Sequence, residues 1–365
     1  MKYLKLYFFV LILTILSTNI IVFAQKESNA FYSKEDFFKV KKFDSHIHIN
    51  TEQTAFIQLA KADNFQFLDI VDDRPFGLPM DEQQRIALLH LKHYPEQMNV
   101  ATTFSVKGFA DPQWADLTIA KLKESISAGA KAVKIWKNIG MDLRDQDGKF
   151  VMLDDPRLAP IFQFLLYNKI PLIGHNGEPR DCWLPLDQMT FSKEYYGSHP
   201  EYHMFLHPEY PSYQQHIEAR DNLLRKYPGL RFTGAHLGSL EWNLDELAKR
   251  LDLYPNMRVD LSRINHLQLH ALRDYKKTRN FFLTYQDRLI YGSDRAVNTS
   301  EDPESLKRSI HDNWFRDWIF FTSEDQINLP GYGVLKGLHL PTEVIDKIYY
   351  KNAENWLTGT SGFKF

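Results

Sequence analysis

Four short apolar runs that each end in a histidine or an aspartate constrain this chain more than any other feature. The runs are FDSHIH (43–48), IPLIGH (170–175), FTGAH (232–236) and LIYGSD (289–294). A short apolar run of this kind is typical of a buried parallel strand, with the polar residue where the strand ends. Because His and Asp are usual ligands of divalent metals, four such endings predict one metal site where several strands end.

The remaining composition limits the class of protein. The chain has 365 residues and a formal net charge of −2, and this length suits one large α/β barrel or two ordinary domains. A near-neutral chain without a basic stripe gives no reason to expect nucleic acid as a partner, so we expect a small-molecule substrate. Cys182 is the only cysteine, and an intrachain disulfide is therefore excluded.

The N-terminus has the pattern of a secretory signal peptide. Lys2 and Lys5 precede an apolar run that continues to Phe23 and ends at Ala24. We expect cleavage after Ala24, export to the periplasm or the medium, and no stable membrane association afterwards. An uncleaved anchor is the alternative. Residues 1–24 are thus assigned to the signal peptide, and 25–42 to a polar N-terminal segment.

From residue 43 onward, strand-like and helix-like patterns alternate. We predict strands at 43–48, 66–71, 99–105, 131–136, 170–175, 231–236, 257–261 and 288–293. Helical patterns lie at 81–93, 113–128, 156–168, 213–227, 242–253, 266–280 and 303–320, with a loop from Thr322 and a last helix at 342–357. This order predicts an α/β fold, a (β/α)8 TIM barrel over 43–358. A doubly wound sheet would need a Gly-rich turn after its first strand, and FDSHIHIN reaches Thr51 without a glycine.

The segment 176–212 is too long for an ordinary strand–helix connection. It leaves the strand that ends at His175, so it starts at the catalytic face, and we predict a lid loop after strand 5. Its aromatic side chains suit a flat ring or a sugar face, although packing of the loop on itself is the alternative. We expect Glu178, Arg180 and Trp183 to contact substrate. Arg263 and Arg295 are further candidates, as anchors for an anionic group or as structural ion-pair partners.

Two strands carry candidate site residues at alternating positions. His46 and His48 are two apart, so both point to the same face, and Asp44 shares that face by alternation. In KAVKIW (131–136), the apolar pair on either side of Lys134 suits the helix-facing side. A lysine ammonium is costly in that apolar layer, so we expect Lys134 to point into the barrel.

The full set resembles the amidohydrolase superfamily, in the branch that contains aminocarboxymuconate-semialdehyde decarboxylase. The family pattern is HxH on the first strand, His on the fifth and sixth, and Asp on the eighth. It is matched here by His46, His48, His175, His236 and Asp294. AHLGS (235–239), YGSD (291–294) and KNAENWL (351–357) are also similar to this branch, and the resemblance covers most of the chain from Phe43 to Leu357.

The resemblance implies a divalent metal, most simply one Zn²⁺ held by His46, His48, His175 and Asp294. His236 would then act as the general base, and Asp294 would also receive or relay a proton. Binuclear members of the superfamily carry a carboxylated lysine on the fourth strand. If Lys134 is modified in this way, it bridges two metals, and His175 and His236 hold the second ion. A lysine that pairs with an internal carboxylate or contacts substrate is the other interpretation.

We therefore expect a metal-dependent hydrolase in which metal-bound hydroxide attacks a carbonyl carbon of an ester, lactone or amide. The substrate would be small and resemble a carbohydrate or an aromatic acid. A non-oxidative metal-dependent decarboxylase is the first alternative, and a catalytically silent binding protein is the second. Barrels of this type often dimerise, so a homodimer is a further expectation.

Overall fold

A computed structural model describes residues 30–358 of the chain. Its principal sheet is parallel, and each of the eight predicted strands is present within a few residues of the expected position. The strands are β1 (Lys42–Asn50), β2 (Phe65–Ile70), β3 (Met98–Thr102), β4 (Ala132–Ile135), β5 (Leu172–Gly174), β6 (Phe232–Gly234), β7 (Met257–Asp260), β8 (Leu289–Ile290) and β9 (Arg295–Asn298). The prediction of a TIM-barrel fold is confirmed.

The sheet closes through an interrupted eighth strand. The strand order is β8-β7-β6-β5-β4-β3-β2-β1-β9, so β8 pairs with β7 and β9 pairs with β1. The two halves are separated by 291–294, and Ser45 on β1 donates both its N–H and its hydroxyl to the Tyr291 carbonyl. One stretch of chain therefore joins the two ends of the sheet, and Asp294 lies at the break.

The helices on the outside of the barrel follow the predicted order with two differences. The principal helices are Ala55–Ala62, Met80–His93, Trp114–Ser127, Ala159–Tyr167, Tyr213–Lys226, Leu244–Leu253, Ile264–Arg273, Tyr275–Tyr285 and Pro303–Thr322. The first of these was not predicted. The helix expected at 266–280 is divided, because Asp274 adopts extended backbone angles and caps the second helix by accepting from the Lys277 N–H.

The C-terminal part contains an antiparallel hairpin where a loop was expected. Its strands are β10 (Gln326–Leu329) and β11 (Gly333–Lys336). The predicted last helix is present as Thr342–Asp346, a π-helical turn over Lys347–Lys351, and Asn352–Leu357. This helix packs on the barrel, where the Asn352 amide donates to the Leu289 carbonyl at 2.8 Å.

The helix Pro303–Thr322 fixes the position of β1. Trp314 is fully buried, and its ring stacks on Phe65 with centroids 4.0 Å apart. Its indole N–H donates to Asp44 Oδ2 at 2.9 Å. The expectation that Asp44 shares a face with His46 and His48 is therefore wrong. The register of β1 against β2 shifts between Asp44 and Ile47, and a shift of this kind breaks simple alternation.

The predicted signal peptide, residues 1–24, lies outside the described residues, and the cleavage site stays a prediction. Within 30–358, no helix combines the length and the apolar character that crossing a bilayer requires.

Candidate metal centre and active site

A cavity of about 440 Å³ opens at the C-terminal ends of the barrel strands. Its polar lining includes His46, His48, Asp72, Arg74, Lys134, Lys137, His175, Glu178, His236, Arg263 and Asp294, and its aromatic lining includes Phe76, Trp136, Phe191, Tyr195, Tyr196 and His266. The strand endings that the sequence singled out thus converge on one space. This is the position at which TIM-barrel enzymes place their active sites.

Hydrogen bonds fix the tautomers of the two β1 histidines. His46 Nδ1 lies 2.8 Å from Asp260 Oδ2, and His48 Nδ1 lies 2.7 Å from the Ile70 carbonyl oxygen. Both partners only accept, so Nδ1 carries the proton in each ring. Nε2 is then the nitrogen with the free lone pair in both residues. A metal-binding histidine usually donates the N–H of its other ring nitrogen to an acceptor in this way.

Asp294 places its carboxylate against three of the imidazoles. Its Oδ1 lies 3.3 Å from His46 Nε2 and 3.7 Å from His48 Nε2, and its Oδ2 lies 3.8 Å from His236 Nδ1. The backbone φ of Asp294 is +58°, a left-handed conformation that Asp adopts more readily than most residues. The break in the eighth strand therefore turns this carboxylate towards the histidines.

His236 lies in a short left-handed turn at the end of β6. The φ values of His236, Leu237 and Ser239 are +55°, +57° and +58°, and Gly238 is also left-handed. Each non-glycine residue in this region costs on the order of 1 kcal/mol, so a run of them persists only where surrounding contacts impose it. One such contact is the His236 N–H, which donates to Asp260 Oδ1 at 2.8 Å.

Burial favours the neutral form of three imidazoles in the site, those of His48, His175 and His236. Burial lowers the pKa of His48 to about 4 and lowers the pKa values of His175 and His236 well below the usual range. The nearby Arg263 lowers the pKa of His236 further, and the nearby Lys134 lowers the pKa of His175. His175 and His236 meet edge to face, with centroids 4.5 Å apart. Neutral imidazoles are the form that binds metal.

The donor set fits a divalent metal ion. One ligand atom from each of His46, His236 and Asp294 lies within 4.8 Å of the others. Nitrogen and carboxylate donors in this combination suit zinc and other first-row metals. This group includes His236, whereas the one-ion assignment from sequence used His48 and His175 and left His236 outside. Which histidines bind directly stays a prediction.

The comparison with known families identifies the chain. The family model described as Amidohydrolase matches residues 63–358, which include the strand endings at His175, His236 and Asp294. The chain belongs to the amidohydrolase family. The resemblance expected from the motifs is thereby confirmed, and with it the expectation of a metal-dependent enzyme. The matched residues begin after β1, so the HxH pair lies outside them.

One of the solved structures similar to this amidohydrolase supports the TIM-barrel fold, and a second is reported for comparison. An uncharacterised TIM-barrel protein from Bordetella bronchiseptica is 16% identical with a TM-score of 0.53, and the match covers 88% of this chain and 100% of that one. A 2,6-dihydroxybenzoate decarboxylase from Rhizobium is 15% identical with a TM-score of 0.49, and the match covers 87% of this chain and 98% of that one. No curated protein matches this chain.

Lys134 points into the barrel of this amidohydrolase, as its strand alternation indicated. The side chain is buried, and Nζ has no hydrogen-bond partner within residues 30–358. Burial lowers its pKa, although the nearby Asp260 and Asp294 carboxylates oppose this shift. An amine that loses its proton easily is what carboxylation requires. The orphaned nitrogen is therefore compatible with a metal bridge, which stays a prediction.

The predicted substrate contacts divide into two groups. Glu178 lines the cavity, where it pairs with the Lys137 ammonium, and Arg263 lines it with Nη1 4.0 Å from Asp294 Oδ2. Arg180 instead stacks over the Trp242 ring at 4.2 Å. Trp183 donates its indole N–H to the Pro211 carbonyl within the 176–212 segment. The structure does not bring these last two side chains to the cavity lining.

A charged pair at the end of β2 also lines the site and was not predicted from the sequence. Asp72 and Arg74 line the cavity and bind each other through the guanidinium, and Asp72 Oδ2 also lies 3.5 Å from His48 Nδ1. The signal was present, because VDDR (71–74) follows the β2 run directly. Arg295, a candidate anion anchor, pairs with Glu301. The alternative role of Arg295, that of a structural ion-pair partner, is thus the one that the structure supports.

Proposed function

We propose that this amidohydrolase is a hydrolase that attacks the carbonyl carbon of an ester, lactone or amide. The observation that carries the proposal is the position of Asp294, which lines the cavity with its side chain 27% exposed and its carboxylate within 4 Å of His46, His48 and His236. A carboxylate so placed can hold a divalent ion and still reach the proton of a water molecule at the same point.

We assign the ion as one Zn²⁺. When bound, it would polarise the substrate carbonyl and lower the pKa of a coordinated water. His46 and Asp294 would hold it, with His48 and His175 as further ligands. His236 is neutral and lines the cavity, so it would take the proton from the attacking water.

The cavity lining supports a small substrate with a flat face and an anionic or polar end. Trp136, Phe191 and Tyr195 supply aromatic surface. Arg263 is the most open of the ion-paired cations in the lining, with 32% of its side chain exposed against 19% for Arg74 and 21% for Lys137. We propose a sugar lactone or an ester of an aromatic acid as the substrate class.

Non-oxidative decarboxylation is the second candidate function. Arg263 faces the cavity, and a cation there favours a substrate carboxylate at the metal. In that reaction His236 or Asp294 would deliver a proton to the carbon that loses CO₂. The two functions therefore use the same residues and differ in the bond that breaks.

Product analysis distinguishes the hydrolase from the decarboxylase. Zinc-loaded protein would be incubated with sugar lactones, aromatic esters and hydroxybenzoates, with pH-stat titration for released acid and isotopic detection of released CO₂. Released acid without CO₂ supports the hydrolase, whereas CO₂ release from the hydroxybenzoates supports the alternative. His46→Ala protein is the control for contaminating activity. Ligand binding without turnover across all three classes would favour a silent binding protein.

Export and assembly are part of the proposal. We propose that the mature chain begins at Gln25 and is periplasmic or secreted, which N-terminal sequencing of the exported protein tests. A full-length chain in the membrane fraction would instead show that residues 6–23 form an anchor. The proposed homodimer is tested by light scattering on the purified mature protein, where a monomer mass would contradict it.

A further inference from the structure

One carboxylate holds the two strand-end histidines His46 and His236 together. Asp260 ends β7, and it is 2% exposed. Its Oδ2 accepts from His46 Nδ1 at 2.8 Å. Its Oδ1 accepts from the His236 N–H at 2.8 Å and the Ser262 N–H at 3.2 Å. The orientation of both histidines therefore depends on this one group.

The hydroxyl of Ser262 links the His236 ring to the same carboxylate. Ser262 Oγ lies 2.6 Å from Asp260 Oδ1 and 2.8 Å from His236 Nδ1. Asp260 Oδ2 already accepts from His46 Nδ1, and Oδ1 accepts from two backbone N–H groups. Both carboxylate oxygens therefore act as acceptors, and the contact with Ser262 uses the hydroxyl proton, which points to Oδ1.

The proton on His236 follows from this hydroxyl. Because the hydroxyl proton of Ser262 points to Asp260, its oxygen can only accept from the imidazole. His236 Nδ1 must then carry a hydrogen, and Nε2 keeps the lone pair. We propose that Ser262 is a positioning residue, which fixes the tautomer of His236 so that Nε2 is the nitrogen available for proton transfer.

The role of Nε2 in proton transfer rests on the proposed function, whereas the tautomer of His236 can be measured without substrate. The experiment records ¹⁵N shifts of the histidine rings by long-range correlation in zinc-loaded protein, with His236 assigned from a His236→Gln sample. Wild-type protein should show the Nδ1–H tautomer. Ser262→Ala should show a mixture or the Nε2–H form, and Ser262→Thr, which keeps the hydroxyl, should restore the wild-type pattern.

Thr103→Val is the matched control. Thr103 is also a buried hydroxyl near a strand end, and it donates to the Lys134 carbonyl rather than to a histidine. The ¹⁵N shifts of His236 in Thr103→Val should equal those in wild-type protein. An Nε2–H tautomer in wild-type protein, or unchanged His236 shifts in Ser262→Ala, would overturn the proposal.

Metal affinity distinguishes positioning from general damage. In Ser262→Ala the bond from His46 to Asp260 remains, so zinc affinity should change by less than about threefold. Asp260→Asn removes the acceptor behind a ligand and should weaken zinc binding by roughly 10- to 100-fold. An equally large loss in folded Ser262→Ala would show that the hydroxyl supports the metal site as a whole and contradict a role specific to His236. If the tautomer results hold but no substrate is hydrolysed, the proposed function fails and the positioning role stands.

Discussion

The Asp181 carboxylate accepts the backbone N–H of Phe191 at 3.0 Å, and both residues belong to the part of the 176–212 segment that lines the active-site cavity. The same oxygen accepts the Thr190 N–H at 2.8 Å. Phe191 in turn packs on His266, with ring centroids 4.4 Å apart, and on Tyr332 of the C-terminal hairpin. One buried acid therefore holds an aromatic part of the cavity lining in place.

Removing this acid should loosen the segment without affecting the metal. Asp181→Ala leaves two backbone N–H groups without their acceptor, so we expect faster hydrogen exchange in peptides covering 186–196 and unchanged zinc content. Hydrogen–deuterium exchange mass spectrometry measures the first and elemental analysis the second. Asp187→Ala changes an exposed acid of the same segment and is the control. Unchanged exchange in Asp181→Ala would show that other contacts hold the segment.

Histidine substitutions test the one-ion arrangement. His46→Ala and His48→Ala should lose zinc and activity together, because each removes a ligand. His236→Ala should keep zinc but lose turnover by roughly two to four orders of magnitude, the usual contribution of an acid–base group. Elemental analysis and steady-state kinetics measure both. His93→Ala, on the exposed end of the helix Met80–His93, is the control. Zinc loss in His236→Ala would make His236 a ligand.

The metal count tests the role of Lys134. We expect about one ion per chain in wild-type protein and in Lys134→Met, whether or not bicarbonate is added during metal loading. Because the substitution removes a buried amine that has no hydrogen-bond partner within residues 30–358, the metal-free variant should be as stable as wild-type protein or more stable by about 1–3 kcal/mol. Two ions in bicarbonate-treated wild-type protein and fewer in Lys134→Met would establish the bridged site instead.

Asp69 should make stability depend on pH. It is 2% exposed, and burial raises its pKa from 3.8 to about 7, with a further contribution from the charge of Asp72. The folded state then holds one more proton than the unfolded state between pH 4 and 7, so this contribution to stability is full below pH 4 and is lost as pH rises to 7.

Asp69→Asn removes that titration while keeping an acceptor for the Ile49 N–H. We expect the Tm of the variant, relative to wild-type protein, to rise between pH 4.5 and pH 8, by about 2 °C for each kcal/mol gained. Thermal unfolding of metal-free protein at both pH values measures this. A difference in Tm that does not change with pH would mean that Asp69 titrates alike in the two states.

Much of the fold was predictable because parallel strands buried on both faces leave a clear signal. β1 is buried from Lys42 to Ile49, and the other strands are similarly short and apolar. The helix Ala55–Ala62 was missed because it is only eight residues long and has no capping side chain. The hairpin β10–β11 was missed because it pairs only with itself and lies outside the repeating strand–helix pattern.

Site residues at the ends of strands were predictable from the sequence. Site residues whose side-chain direction depends on an irregular backbone were not. The convergence of His46, His175, His236 and Asp294 follows from parallel strands ending at one edge. Asp44 was misplaced because a register shift inside β1 has no signature in the sequence. The roles of Arg180 and Trp183 depended on how a long loop folds back, and residue spacing does not determine that.

The break in the eighth strand has a consequence for biosynthesis. A nascent chain that has not yet produced residues 289–298 lacks both the segment that closes the sheet and the carboxylate of Asp294. The order of synthesis therefore places the completion of the proposed metal-binding donor set after residue 294. An ion that needs the Asp294 carboxylate can therefore bind only after residues 289–298 have been made.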